Sequence, residues 1–540
     1  MIACVMVAGA LLCSIVAIIA HPEPAVAATT CTDSVRDLQD KIDAAPIGGT
    51  VMAAPCIYRE HVNIGKPLTL VGQPGSEIRG SDIWGGWTRL SNGTYISSET
   101  VPNFYQEDVS CEPNTQRCAW PEQVFVDGAP QEQVSSSSTP APGQFKVESG
   151  RKVVLGSSSI GKMVEVTVRK HWITGTSSAD GVTIRGFTMR HAANDWRCGA
   201  IQSREPSTGS GSTFSSCRQK TDGSAWTVEN NRLLHAAGAI LSVRTNNARI
   251  LNNVIAYGGQ LGIHNPKDDS LIEDNNIHHN NTERFCISAG SCTGYSTDGN
   301  STASNFLVES GGVKIAGGQV RVTVRNNEIA FNRGQGLWFD VQTSGMKAIA
   351  NRVHDNARRG IFCEISFGCQ ITKNVVWENG WATPGYVDGA GIQVGNSSDV
   401  VVANNTLAWN ADGIAIVGVD REGTVNDNVT NVWVHDNTVL QEDTSFSGDG
   451  KKGALLWIQS CCNAQMFSAG AKNWGENGRY WFEDPESSTK PRYEWNGTKY
   501  TSLVRFNNET RGEENGHYLS EDEKDTVTDH KGIPAAPKPH

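Results

Sequence analysis

The sequence has no run of basic residues and no nucleic-acid-binding motif. Its 57 Asp and Glu outnumber 46 Lys and Arg, for a formal charge of −11. A nucleic acid needs a positive footprint, so no DNA or RNA partner is expected. The same balance disfavours a polyanionic substrate unless a local basic patch overrides it. No Cys or His spacing matches a zinc site, and no metal ligand set is expected. The leucine pattern of a leucine-rich repeat is also missing. The apolar run Val5–Ala20 is short for a membrane span. Ala25–Val26–Ala27 follows it and suits signal cleavage, so residues 1–27 read as a signal peptide and the product as secreted, with no membrane partner afterwards. No Lys or Arg precedes the run, a departure from the usual signal.

Of the 14 cysteines, two lie in that leader. The others fall in sequence-local pairs: Cys31/Cys56, Cys111/Cys118, Cys198/Cys217, Cys286/Cys292, Cys363/Cys369 and the adjacent Cys461/Cys462. An even count in local pairs predicts disulfides and an oxidising compartment. The adjacent pair is left open between a vicinal bridge and separate partners. Abundant Gly, many Trp and moderate charge describe a folded chain, not a disordered one.

What is present is repetition. The segments Gly312–Ile315 (GVKI), Gly336–Asp340 (GLWFD), Gly360–Glu364 (GIFCE), Gly391–Val394 (GIQV) and Gly413–Ile416 (GIAI) share one pattern. The first and third residues after each Gly are almost all aliphatic or aromatic, which is strand alternation with one face buried. The second and fourth residues then point outward. Asp340 and Glu364 both hold the fourth position, 24 residues apart. If a repeat is one coil of a solenoid, these carboxylates are stacked neighbours on an exposed face.

A second marker keeps the period. Asn231, Asn253, Asn275, Asn327, Asn351, Asn374, Asn405 and Asn437 recur, each preceded at three residues and followed at two by a small or apolar side chain. Their uninterrupted spacings of 22 to 24 residues describe coils that cannot bury a core alone. Asn tolerates left-handed turns, and amides stacked in register can bond along the axis as a ladder. These Asn residues are structural and are not site candidates.

On these segments the chain resembles the right-handed parallel β-helix, or pectin-lyase-like, superfamily. Val35–Ala45 reads as the amphipathic capping helix of that fold. Gly48–Val51, Tyr58–Ile64 and Leu68–Gly72 read as its first coils. The implied architecture is all-β: cap and first coils over 28–83, a β-rich excursion over 84–181 and helix repeats over 182–440. An irregular insertion over 441–488 and a polar C-terminal tail over 489–540 follow. The polar stretches Arg204–Asp222 and Asn280–Asn305 read as loop insertions.

The acids suggest chemistry. Parallel strands lie about 4.8 Å apart, close to the roughly 5–5.5 Å that a retaining glycosidase needs between its two carboxyls. Trp338 and Phe362, two residues before the acids, suit a sugar-stacking platform. Lys314 holds the same place one coil earlier. Cys363 and Cys369 would clamp the turn beside Glu364. GLWFD followed by Ile-Phe-x-Glu resembles the β-helix glycosidases of the β-xylosidase type. That resemblance implies Asp340 as nucleophile, Glu364 as acid/base and no cofactor, with a polysaccharide or oligosaccharide as partner. Outward acids on a solenoid are also commonly solvated surface, and a stacked pair suits Ca²⁺. A Ca²⁺-dependent polysaccharide lyase with Lys314 or a nearby Arg as base therefore stays open, as does a non-catalytic surface or sugar-binding protein. His264, His354 and Asp388 are lone candidates near the face, and Arg358 and Arg359 could meet an acidic sugar.

Overall fold

The computed structural model describes residues 29–30, 37–104, 109–176, 178–204, 225–287, 292–295, 301–302, 308–382, 387–419, 428–441, 453–459, 464–485 and 489–528. The leader therefore lies outside the described residues, as do Cys31, Cys217, Cys461, Cys462 and the end of the tail. Three long sheets of 14, 13 and 12 strands run side by side. Each coil contributes one short strand to each sheet, and pairing from coil to coil is parallel. This is the expected parallel β-helix. A capping helix, Asp37–Ala44, closes the first coils by burying Leu38 and Ile42.

The interior explains why the chain coils. One continuous apolar cluster runs from Leu38 to Phe506, lined by stacked aliphatic residues such as Val313, Leu337, Ile361, Ile392 and Ile414. Each fully buried aliphatic side chain contributes roughly 1.5–3 kcal/mol. No coil could hold that surface from water without its neighbours.

The corners are held by amides. At the corner between the 12- and 14-stranded sheets, each Asn accepts from the backbone N–H and the side-chain amide of the Asn one coil before. Asn327 donates both to Asn351 Oδ1 at 3.1 and 3.0 Å, and Asn351 does the same to Asn374. The left-handed residue is not the ladder Asn, as the sequence suggested, but the one before it: Asn252, Asn326, Ala350, Lys373 and Asn404 all have φ between 51° and 59°. The corner turns on that residue, which leaves the ladder amide free to point inward. A second ladder occupies the next corner, where Asn332 donates to Asn356 and Asn356 to Asn379. The third corner uses hydroxyls, with Thr343 and Ser366 bonded at 2.8 Å.

The excursion leaves the coil at Ser81–Ile83 and builds two small sheets of four and five strands. They enclose their own core of Trp84, Tyr95, Phe145 and Val166. The stack resumes when Ile173–Gly175 pairs with Val62–Ile64. A three-stranded sheet then ties Val109–Cys111 to Thr293–Tyr295, joining the excursion to the second insertion.

Two boundaries need correction: the coils resume at Ile173, inside the expected excursion of 84–181, and they run on past 440. The solenoid does not stop at Leu440. Leu455–Gln459, Trp474–Glu476 and Arg479–Phe482 continue the three sheets, and Tyr493–Trp495 and His517–Tyr518 add to two of them. Interior Trp457 stacks under Ile416, and Gly478 stands directly before Arg479, the strand partner of Thr438, where earlier coils carry Asn. Both usual signals are thus lost in the last coils.

Bridges Cys111–Cys118, Cys286–Cys292 and Cys363–Cys369 are present. Cys56 and Cys198 are also disulfide-bonded, and their expected partners Cys31 and Cys217 lie outside the described residues.

Candidate functional site

Asp340 ends the strand Gln335–Asp340, and Glu364 ends Ile361–Glu364 in the same 13-stranded sheet. The register pairs Trp338 with Phe362 and Phe339 with Cys363, so the acids hold equivalent places on adjacent coils. Both line one cleft of about 560 Å³, together with Trp338, Arg359, Phe362 and Gln393. The expectation of an exposed face is corrected here. Each acid is only 6% exposed, on a cleft that Ile287, Val308 and Val387 also line.

The two carboxylates have different donors. Lys314 Nζ donates to Asp340 Oδ2 at 2.6 Å and lies 3.3 Å from Glu309 Oε1. Arg197 completes the cluster at 2.6 Å from Glu309. Burial pushes the Asp340 carboxyl up to about 6; Lys314 opposes that rise and the Glu364 charge adds to it. Glu309 is also buried, which raises it, but Lys314 and Arg197 together pull it down to about 2. Glu364 instead accepts from the Trp338 indole N–H at 3.0 Å.

The outward residues two positions earlier form a column along the helix axis. Lys314 Nζ sits 3.3 Å from the Trp338 ring centroid. Trp338 stacks on Phe362 at 5.8 Å and 19°. The Arg359 guanidinium lies 4.5 Å from the Phe362 ring centroid. The rings thus stack on each other and on the two cations. Both rings also line the cleft. Lys314 is 2% exposed and bonded to Asp340.

The other sequence candidates separate. Arg358 and Arg359 are not solvated; both are buried and both meet Asp388. Arg359 also donates to Gln393. Burial lowers the Arg359 guanidinium to about 10, so it stays charged at neutral pH. His264 pairs in register with Lys314, beyond Asp340. Burial, with Arg244 and Arg197 adding to it, holds its imidazole down to about 3, hence neutral. His354 stands in the 14-stranded sheet between Glu328 and Asp355, away from the cleft. Cys363 and Cys369 are fully buried in the helix interior, so their bridge fixes the turn after Glu364 from inside.

A calcium ion does not suit this donor set. The ammonium of Lys314 already occupies the approach to Asp340, and no group of three or more His, Cys, Asp or Glu converges among the described residues. Sequence reasoning missed Glu309, Arg197 and Gln393. Gln393 was legible as the outward residue of GIQV, whereas Glu309 and Arg197 sit outside any repeat slot.

Residues 219–407 match the family described as the right handed beta helix region. No curated protein matches the sequence. Among solved structures, the complex of XylC with xylose is similar at 14% identity and a TM-score of 0.58, covering 85% of this chain and 82% of that one. The A-module of the Azotobacter vinelandii mannuronan C-5 epimerase AlgE6 matches at 12% identity and a TM-score of 0.46, over 92% of this chain and 98% of that one. A glycoside hydrolase matches at 10% identity and a TM-score of 0.34, over 89% and 92%. These likenesses are likenesses of fold, the right-handed parallel β-helix.

Proposed function

We propose that this chain is a secreted, retaining glycoside hydrolase acting on a polysaccharide or its oligomers, with Asp340 as nucleophile and Glu364 as acid/base. The observation that carries the reading is the pair itself: two carboxyls at one register position on adjacent coils, on the floor of one cleft, each held by a different donor. Strands about 4.8 Å apart suit the retaining separation of about 5–5.5 Å. The fold shared with XylC, solved with xylose, supports a sugar ligand. Three disulfides among the described residues support export to an oxidising compartment.

In the first step the Asp340 carboxylate attacks the anomeric carbon. The glycosidic C–O bond breaks, and the leaving oxygen takes the proton of Glu364. In the second, the Glu364 carboxylate takes a proton from water. That water attacks the anomeric carbon, breaks the ester and restores Asp340. Lys314 neutralises part of the charge on Asp340 and holds its carboxylate in one orientation. The Trp338 N–H does the same for Glu364 when it is ionised. The lyase reading needs Lys314 or a nearby Arg to reach the C5 proton of a uronate. Lys314 is buried and paired to two carboxylates, and Arg358 and Arg359 are buried against Asp388, which favours the hydrolase.

The test is azide rescue on an aryl glycoside that the parent cleaves. Glu364→Ala should regain turnover with azide and give a glycosyl azide of retained configuration. Asp340→Ala should lose on the order of a thousandfold or more and give the inverted azide. Near-parental activity of both alanine variants would remove these acids from the reaction. Unsaturated uronate absorbance from the parent would favour elimination instead.

A further inference from the structure

A second cavity, of about 370 Å³, lies between the excursion and the 14-stranded sheet. It shares no lining residue with the cleft of Asp340 and Glu364, and its size suits a small ligand. The excursion supplies Gln123, Phe125 and Gln133. Four successive coils supply His235, Tyr257, His279 and Phe331, where each leaves the 14-stranded sheet. Their rings follow one another at 4.8, 5.5 and 5.1 Å. The backbone does not ask for rings there. All four residues have φ between 55° and 62°, where a bulky side chain is uncommon. The next two coils put Asp355 and Glu378 at the same place, both at φ 52°. Phe331 is 48% exposed. Arg333, also in the wall, lies 5.5 Å from the ring of Trp381, which is itself 44% exposed, so aromatic surface continues past the rim.

The polar side of the cavity has acceptors to spare. Gln123 and Gln133 are each 8% exposed, and their buried amide oxygens have no hydrogen-bond partner among the described residues. The arginines of the wall are already paired, Arg117 with Glu283, and Arg284 and Arg333 with Glu112. Burial lowers the imidazole of His235 to about 4 and that of His279 also, and it works against a charge on Glu122, which is bonded to Gln133. No cation of the wall is left for an anion. A buried acceptor without a donor is costly, so a ligand with O–H groups is favoured over one that brings only C–H surface. A sugar brings both, and its C–H surface packs on aromatic rings.

We propose that this cavity is a second, non-catalytic carbohydrate site that takes an uncharged oligosaccharide. Sugar hydroxyls donate to the amide oxygens of Gln123 and Gln133, and C–H surface packs on the row of rings that ends at Phe331. The site stands apart from the hydrolase reading, since it uses none of the cleft residues. Where both hold, a polymer chain is tethered here while another stretch of it enters the cleft.

The test is calorimetric titration of the full chain with cellohexaose, xylohexaose and mannohexaose, and with hexagalacturonate as the charged control. Asp340→Ala is carried in every sample to stop turnover. At least one neutral hexasaccharide should bind. Adding Phe331→Ala or Gln133→Leu should each remove one bound sugar per chain, and Phe331→Tyr should keep it. Unfolding curves separate this loss from misfolding, and removal of the half-exposed Phe331 ring should leave the curve in place. Binding of no neutral hexasaccharide overturns the proposal, as does unchanged stoichiometry in Phe331→Ala. A loss in Phe331→Ala with none in Gln133→Leu puts the sugar on the rim and overturns the cavity as its seat. Hexagalacturonate held through Phe331 as tightly as the neutral sugars overturns the assignment to an uncharged ligand. The two readings fail separately. Phe331-dependent binding in a protein whose parent cleaves no glycoside keeps this site and removes the hydrolase. Azide rescue without Phe331-dependent binding does the reverse.

Discussion

Along the corner between the 12- and 14-stranded sheets, eight coils place the same side chain, Asn, and bond it to its own copy above and below. Along the outer face of the 13-stranded sheet, five coils place five different residues at one register: Ala316, Asp340, Glu364, Gly395 and Val417. The first row repeats because an amide ladder works only when every rung can both donate and accept. The second row varies because its backbone is already satisfied by the sheet, so its side chains carry no structural duty. Uniformity marks what the solenoid needs, and variation within a buried row marks what it can spare for chemistry.

The sharpest way to break that contrast is to remove a rung. Asn351→Ala strips the acceptor from the Asn327 backbone N–H and the amide donor from the Val324 carbonyl, and leaves Asn374 only the backbone N–H of residue 351. Several buried groups are left unsatisfied, for an expected loss of roughly 3–5 kcal/mol. Urea unfolding should show this, while whatever protein remains folded keeps parental kcat. A variant with normal stability and lost activity would put function in the corner.

The acid row should answer in the opposite sense. Asp340 has its folded pKa raised from 3.8 to about 6. Between those values the folded chain keeps a proton that the unfolded chain has released, so stability falls as pH rises through that window. The total for a group so well buried is about 3 kcal/mol. Asp340→Asn should remove this slope, read as unfolding free energy at pH 4.5, 5.5 and 6.5. Parallel curves for parent and variant would mean that the site is not strained by its own charge.

The smallest effect concerns the donor to Glu364. Trp338→Phe keeps a ring in the column but deletes the N–H. Activity should fall roughly 10- to 30-fold, as for one hydrogen bond to a charged group, with little change in melting temperature. A larger loss of stability than of activity would make Trp338 a packing residue.

The fold was largely legible because interior aliphatics and ladder amides recur in sequence at the spacing they keep in space. The last coils were hidden where Trp457 and Tyr493 replace aliphatics and Gly478 replaces Asn. The acids were legible because charge on a strand with an apolar inner face is conspicuous. Their burial was not, since Ile287 and Val308, which line the cleft, hold no repeat slot. The ring column was hidden for another reason. Trp338 and Phe362 were correctly paired in register, but the column also takes in Arg359, which sits outside the outward row. The left-handed corner was misplaced by one residue, because Asn itself often occupies both positions, as in Asn252–Asn253 and Asn326–Asn327.

The single-coil offset between Asp340 and Glu364 makes their separation a whole-number property. A hinge or loop can set two carboxyls at any distance, but a solenoid offers only multiples of about 4.8 Å. The next outward slot, Gly395, lies two coils from Asp340, or about 9.6 Å, at the far edge of the roughly 6.5–9.5 Å window in which water fits between acid and base. Phe362 crowds that slot, since a Cβ on Gly395 would come within 3.2 Å of its ring. Under the proposed chemistry, first neighbours on this lattice retain the sugar's configuration and second neighbours approach the gap for inverting it. Handedness of the product would then be counted in coils, with lineages of such enzymes changing it by discrete jumps rather than gradual drift.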